Sequence, residues 1–503
     1  MLPFWSPDGS RIYYLTRRRP NTGLRSVAVA GGESEKVLDG VYRADLSPDG
    51  KTLAVLAQDT PGSYRLAFSS PPGAPPIPYS QPPLSSLRDT GTLTTLRFDR
   101  SGRYLGLFTS VRQVVEFWKI PMNGAPAEEM LRGKGQGTGH FIWLDNRSGI
   151  IMDSLDNRSP QLERIDFASG IMQRLTAGTV RDITPAVSPD RGNLAFASGE
   201  AGYDIIDVPL SGAPPQDMIA TGQWELAPAW APDGIRFAYV TNRGGSPEIW
   251  LRNRMDGSER LIMGSRELAG VGALFDCAIS PDGTRVAYRV HRGGEVAIWV
   301  SPVSGEPPVR LWDDPARSVQ RGPSWSPDGN WIAYYGARGG RPAVMKARVG
   351  ANAPAELLGY MSRNEPVRWS PRGDWIVFRD GESLRIISPD GKRNRIISQH
   401  VWETYGWSKD GAMLYGIEYG ANGRLVLASV DLASERETKI ADLGPPSPAF
   451  YIAEDESQLP YRGFSLHPDG KSFLSSVFRA KTQIYLLRDF ERTPRLMDRW
   501  WKR

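Results

Sequence analysis

The chain has 503 residues, 40% hydrophobic and 23% charged, a balance that excludes a disordered protein and supplies apolar side chains for more than one buried core. Its 61 basic and 56 acidic residues leave a net charge of +5, too dilute a bias for a nucleic-acid-binding face, which needs its cations gathered together. The single cysteine, Cys277, excludes an internal disulfide framework and a cysteine-based zinc site.

Met1-Leu2-Pro3-Phe4-Trp5 runs straight into a turn. It has no basic and apolar leader pattern, and no later stretch approaches the roughly 20 apolar residues of a membrane helix. The expectation is a cytoplasmic chain as encoded, or a periplasmic one if the true start lies upstream. Arg17-Arg18-Arg19, flanked by Pro20 and Asn21, reads as a solvated loop.

From Trp5 onward one short phrase returns along the chain. Trp5-Ser6-Pro7-Asp8-Gly9 is followed by Leu46-Ser47-Pro48-Asp49-Gly50 and the weaker Phe98-Asp99-Arg100-Ser101-Gly102. Two further weak copies end at Gly149 and Gly192. Clear copies follow at Trp230–Gly234, Ile279–Gly283 and Trp325–Gly329, with worn ones at Trp369–Gly373, Trp407–Gly411 and Leu466–Gly470. Proline presets φ for a tight turn, aspartate bonds the turn backbone, and glycine accepts positive φ. The aromatic residue before the turn is placed to enter the space between neighbouring sheets.

β-rich segments follow each turn, such as Trp331-Ile332-Ala333-Tyr334-Tyr335, and two more strands complete the repeat, such as Ala343–Ala347 and Ala355–Leu358. Successive turn glycines lie 38 to 59 residues apart, a period that suits four-stranded blades rather than helical repeats. The predicted fold class is all-β: two tandem β-propellers built from about eleven four-stranded blades. Eleven are too many for one ring of the usual size. The predicted division is residues 1–222 for a first propeller of about five blades and 223–503 for a second of about six; a four-plus-seven division near Thr179 fits nearly as well. With Met1 almost directly before the first turn, the strand expected ahead of it is missing, which predicts an incomplete first ring or a lost upstream domain.

The irregular segments are three. Ser69–Pro78, continued by Gln81-Pro82-Pro83, reads as a stiff, polyproline-like surface insertion. Gly444 to Tyr461 lengthens the last repeat, with Glu454-Asp455-Glu456 facing solvent. The tail Trp500-Trp501-Lys502-Arg503 is expected to fold back onto a blade.

The aromatic-Ser-Pro-Asp-Gly phrase followed by a β-rich triplet resembles the WD40-like repeat of TolB-type β-propellers, which also occurs in propellers of prolyl oligopeptidase relatives and tricorn-like proteases. The closing segment Thr482–Phe490 resembles the end of the C-terminal sensor propellers of bacterial Ser/Thr kinases and winged-helix regulators. The resemblance covers nearly the whole chain and implies a fold; it implies no single activity.

The residues themselves supply no catalytic constellation. Gly406-Trp407-Ser408-Lys409-Asp410 and Gly463-Phe464-Ser465-Leu466-His467 lack the second glycine of a nucleophile elbow, and both lie in the repeat's own turn. His140, His291, His400 and His467 fall in different repeats without ligand spacing, and His467 takes the serine position of a turn. Gly133-Lys134-Gly135-Gln136-Gly137 is a flexible link and not a phosphate loop. Cys277 reads as a buried structural thiol, and the repeated aspartates as turn residues rather than calcium ligands. No catalytic, cofactor-binding or metal residue is therefore predicted, and no cofactor.

The expectation that follows is a non-enzymatic binding or scaffold protein. Its propeller surfaces would recognise a protein or peptide partner, or a ligand, as part of a bacterial signalling system. The alternatives are a propeller serving a peptidase or carrying a hydrolase or lyase site in its channel, and a TolB-like envelope protein. No nucleic acid and no membrane span are expected; the oligomeric state is left open.

Overall fold

The Ser-Pro-Asp-Gly copies of the phrase fold on themselves in the same way. In the computed structural model the serine hydroxyl donates to the aspartate two residues on, at 2.5 Å for Ser280 to Asp282 and for Ser326 to Asp328. The same hydroxyl accepts the backbone N–H five residues on, at 2.9 Å from Arg285 and from Trp331. The aspartate in turn accepts the N–H of the residue just before the next strand, at 3.0 Å for Thr284 and Asn330. These bonds hold the carboxyls of Asp8 and Asp282 down at about 2, the serine hydroxyl contributing most. The glycine closes the turn at φ +72° in Gly283 and +68° in Gly329, a conformation that costs any residue with a Cβ about 1–2 kcal/mol.

The structure describes residues 3–16, 23–60, 63–81, 87–88, 93–111, 114–134, 137–153, 161–167, 169–178, 180–188, 191–264, 271–292, 295–312, 320–351, 353–362, 366–420, 424–444, 461–488 and 490. Arg17-Arg18-Arg19, Pro82-Pro83, Glu454-Asp455-Glu456 and the Trp500–Arg503 tail lie outside them. Among the described residues all regular structure is β, in antiparallel sheets mostly of four strands, consecutive strands pairing side by side. No helix among them is long and apolar enough to cross a membrane. The propeller class read from the repeat is the observed one.

The chain forms two compact units. The first holds Met1–Glu200, Tyr451–Asp455 and Lys481–Arg503; the second holds Ala201–Phe450 and Glu456–Ala480. Counted within each unit over the described residues, the sheets make five blades and six. Two strands of 17 residues, Asn193–Pro209 and Ser472–Arg488, each give one part to either unit.

In the second unit the closing blade takes Tyr461–Leu466 and the first part of Ser472–Arg488 from late in the chain. It adds the second part of Asn193–Pro209 and Gln216–Ile219 from early in it. Leu210 N–H bonds Lys471 O at 2.9 Å and Tyr203 packs edge-on against Phe478. In the first unit Phe490 and Leu487 return to a core with Leu144, Ile150, Leu162, Ile183 and Leu194.

Blades are fastened to one another by the residues of the phrase. The indole N–H of Trp143, Trp325 and Trp407 donates at 2.9 Å to a carbonyl of the preceding blade, those of Arg97, Ala278 and Arg368. Apolar cores fill the spaces between sheets, as where Ala287, Ile298 and Val300 meet Trp325, Ile332, Tyr334 and Met345. Each fully buried large side chain contributes about 1.5–3 kcal/mol.

The proline-rich segment differs from its expectation. Ser69 Oγ bonds Ala74 O at 2.7 Å and accepts Gly73 N–H at 3.0 Å, curling the segment into a turn. Ile77–Pro78 then pairs with Ala67 and Phe68 as the blade's short outer strand. Proline is tolerated there because an outer edge demands no further ladder N–H.

Candidate functional site

Four of the six innermost strands of the second unit share a feature outside the turn phrase. Three positions before the residue that opens the turn phrase, the pairing register shifts and the backbone turns left-handed: Ala227 at φ 52°, Asp276 at 58°, Gly322 at 60° and Gly463 at 80°. Thr184 repeats it in the first unit at φ 52°. These are β-bulges, which bend a strand and re-aim its side chains, and left-handed non-glycine residues mark stored strain.

The equivalent positions of neighbouring blades lie side by side around the unit's inner ring. A Cβ added to Gly463 would meet Ala227 Cα at 3.8 Å, and one added to Gly322 would meet Pro366 Cα at 3.2 Å. Gly322 N–H donates to Asp276 Oδ2 at 3.2 Å, and Tyr405 Oη donates to Pro366 O at 2.5 Å.

Charged side chains gather on the Asp276–Gly322–Pro366 arc. Arg289 Nε stands 3.0 Å from Asp276 Oδ2, with its guanidinium over the Phe275 ring. His291 packs against the same ring at 5.1 Å, and its Nε2 is buried without a hydrogen bond. Burial, with Arg289 and Arg321 adding repulsion against the pull of Asp276, pushes the imidazole down to about 4. Arg321 Nε is likewise buried and unbonded. Burial lowers the pKa of the Arg368 guanidinium, with Tyr405 and Asp276 acting to raise it. Arg289 thus pairs the Asp276 carboxylate, Arg368 lies within its field, and Arg321 lies close enough to repel a proton on His291, in a partly buried place where charge is poorly screened.

Elsewhere in the unit the sign reverses. Glu225 is 1% exposed and accepts the Thr221 hydroxyl at 2.5 Å on Oε1, while Oε2 finds no partner. Burial lifts its carboxyl to about 7, with the Asp204 charge adding and Thr221 and Arg243 opposing. Asp204 is raised by its own burial and held by Arg479 at 3.2 Å.

The arrangement can bind an anion on the arginine arc and exchange a proton at Glu225 near neutrality. Cys277, next to Asp276, has its thiol pushed well above the usual range by burial. His467 lies in its turn, with Nδ1 2.8 Å from Asp469 and Nε2 3.0 Å from Gly234 O. The side chain of His140 lies outside the described residues. The four histidines do not meet one another among the described residues, but His400 lies beside two glutamates of the following blade.

Compared with known proteins, residues 203–449 match a family described as PD40, the TolB beta propeller domain. The Tol-Pal system protein TolB of Xanthomonas campestris pv. campestris (strain B100) is 25% identical over 228 residues, 41% of this chain and 49% of that protein. The chain thus spans about half the length of the curated relative it matches. A solved structure of a putative TolB from Agrobacterium tumefaciens covers 56% of this chain and 99% of its own, at 18% identity and TM-score 0.43. TolB from Acinetobacter baumannii covers 56% and 75%, at 16% identity and TM-score 0.39.

Proposed function

We propose that this chain is a non-enzymatic binding and scaffold protein whose second unit holds an acidic group of a protein or peptide partner. The observation that carries the reading is the arc of Arg289, Arg321 and Arg368, drawn from three successive blades, in which Arg289 pairs Asp276 and Arg321 Nε is buried without a hydrogen bond. Guanidinium groups pair carboxylates in a fixed fork, and partial burial strengthens such pairs. A rigid ring that brings together side chains from successive repeats suits recognition.

The test is capture of a partner from native lysate by the tagged chain and by an Arg321→Ala/Arg368→Ala variant. The expected result is one specific protein held by the first, reduced at least tenfold by the variant and by about 0.5 M salt. Equal capture by both, at either salt concentration, would overturn the reading.

Two narrower readings attach to it. A TolB-like envelope role is supported by the 228-residue similarity to TolB. A sensor role in a signalling system is supported by the closing-strand resemblance. Fractionation of native cells tests the first, which requires the chain in the periplasm.

A further inference from the structure

His400 lies in the short loop between strands Asn394–Ser398 and Trp402–Trp407. Ser398 Oγ fixes that loop, accepting His400 N–H at 3.0 Å and the indole N–H of fully buried Trp402 at 2.9 Å. The imidazole is thereby delivered to the next sheet, where Glu418 belongs to strand Met413–Tyr419 and Glu437 opens strand Glu437–Gly444.

One ring nitrogen faces two carboxylates. His400 Nδ1 is 2.5 Å from Glu437 Oε2 and 3.5 Å from Glu418 Oε2, and the three donor atoms lie within 4.8 Å of one another. A single N–H satisfies one carboxylate oxygen. Glu418 Oε2 is left buried without a hydrogen bond, on a side chain only 14% exposed. An unsatisfied buried carboxylate oxygen is costly, and a proton on His400 does not resolve it.

We propose that His400 Nδ1 and the Oε2 atoms of Glu418 and Glu437 form a site for a divalent first-row transition cation such as Zn²⁺. A neutral imidazole and two carboxylates give such a cation one nitrogen and two oxygen donors, a mixed set that suits it better than the all-oxygen shells of Ca²⁺ or Mg²⁺. Bonds of about 2.1 Å place tetrahedral donors roughly 3.4 Å apart. The Glu418 contact already has that spacing. The Glu437 contact must open by about 1 Å, which an imidazole 60% exposed permits. The exposed side of the ring leaves the remaining coordination position to water. Bound metal would tie the loop of one blade to two strands of the next and so act as a clip between them. The site is independent of the arginine arc, and neither proposal depends on the other.

The test uses the full chain, stripped with chelator, titrated calorimetrically with ZnCl₂, with CaCl₂ as control, alongside His400→Ala and Glu418→Gln. The expected result is one Zn²⁺ site that Ca²⁺ does not fill and that both variants weaken at least tenfold. The unfolding midpoint should rise with Zn²⁺ in the wild type and not in the variants. His400→Ala alters an exposed ring, and Glu418→Gln keeps shape while removing a buried charge, so both should match the wild-type midpoint in chelator. Zn²⁺ binding of equal strength in all three proteins, or none at millimolar Zn²⁺, would overturn the proposal. So would a variant midpoint that drops in chelator and responds to Zn²⁺ as the wild type does, because that pattern belongs to a plain ion pair.

Discussion

At the scale of single residues, Glu225 and His291 carry opposite ionisation costs in the same unit. Glu225 titrates at about 7 when folded against 4.5 ordinarily, and His291 at about 4 against 6.5. Between pH 4.5 and 7 the folded state keeps a proton on Glu225 that the unfolded chain has released, so stability falls as pH rises. Between pH 6.5 and 4 the unfolded chain takes the proton that His291 refuses, so stability falls as pH drops. The two slopes largely cancel where they overlap. Glu225→Gln should remove one of them: at pH 8 the variant should be the more stable by on the order of 1–2 kcal/mol, a margin that shrinks towards pH 4.5. Thermal unfolding across that range checks this, and a margin independent of pH would contradict it. Cys277 is partly exposed, but burial pushes its thiol up, so a water-soluble disulfide reagent at pH 8 should label it slowly in the native chain and faster on unfolding; equal rates in both states would contradict this.

At the scale of elements, the phrase does two separable jobs, the turn and the fastening between blades. Trp325→Phe loses the bond to Ala278 O and should cost about 1–2 kcal/mol in chemical denaturation. Trp230→Phe should cost clearly less, because the indole N–H of Trp230 is buried with no partner. Equal losses would mean that ring volume, and not the bond, explains the tryptophan. Gly329→Ala puts a Cβ on a residue at φ +68°, 3.2 Å from the Arg285 guanidinium, and should cost about 1–2 kcal/mol. Turns and strands were legible because their chemistry is local: Ser326, Asp328 and Gly329 specify one another within four residues. The bulges were not. Ala227 and Thr184 are residue types with no preference for left-handed backbone, and although aspartate adopts it more readily and Gly322 and Gly463 freely, no turn phrase at those positions calls for it. Nor was the arginine arc, whose members lie 32 to 47 residues apart and meet only because each blade returns to the same inner ring. His400 was weighed against other histidines, whereas its partners are glutamates 18 and 37 residues further on.

At the scale of the molecule, the described strand order in space departs furthest from the order in the chain at the second unit's closing blade, and that blade decides what folds alone. The second unit draws its closing blade from Ala201–Ile219 and from Tyr461–Ala480, while Lys481–Arg503 belongs to the first unit. The repeat period predicts how many blades there are, but it is silent on which strands close a ring, because closing strands carry the same β pattern as any other. A fragment of residues 201–480 contains every described strand of the second unit, with both partners of the Arg479–Asp204 pair and of the Tyr203–Phe478 contact. It should therefore unfold in one cooperative transition and keep its near-ultraviolet aromatic signal. A fragment of residues 223–503 lacks two closing strands and both Tyr203 and Asp204. It exposes the edges of the strands they covered, an invitation to aggregate. It should have a midpoint lower by at least about 5 °C, or should not fold as a monomer. If the two fragments unfolded alike, ring closure through Ala201–Ile219 would contribute nothing, and the inner-ring geometry around Glu225 and Asp276 would have to be held by each blade alone.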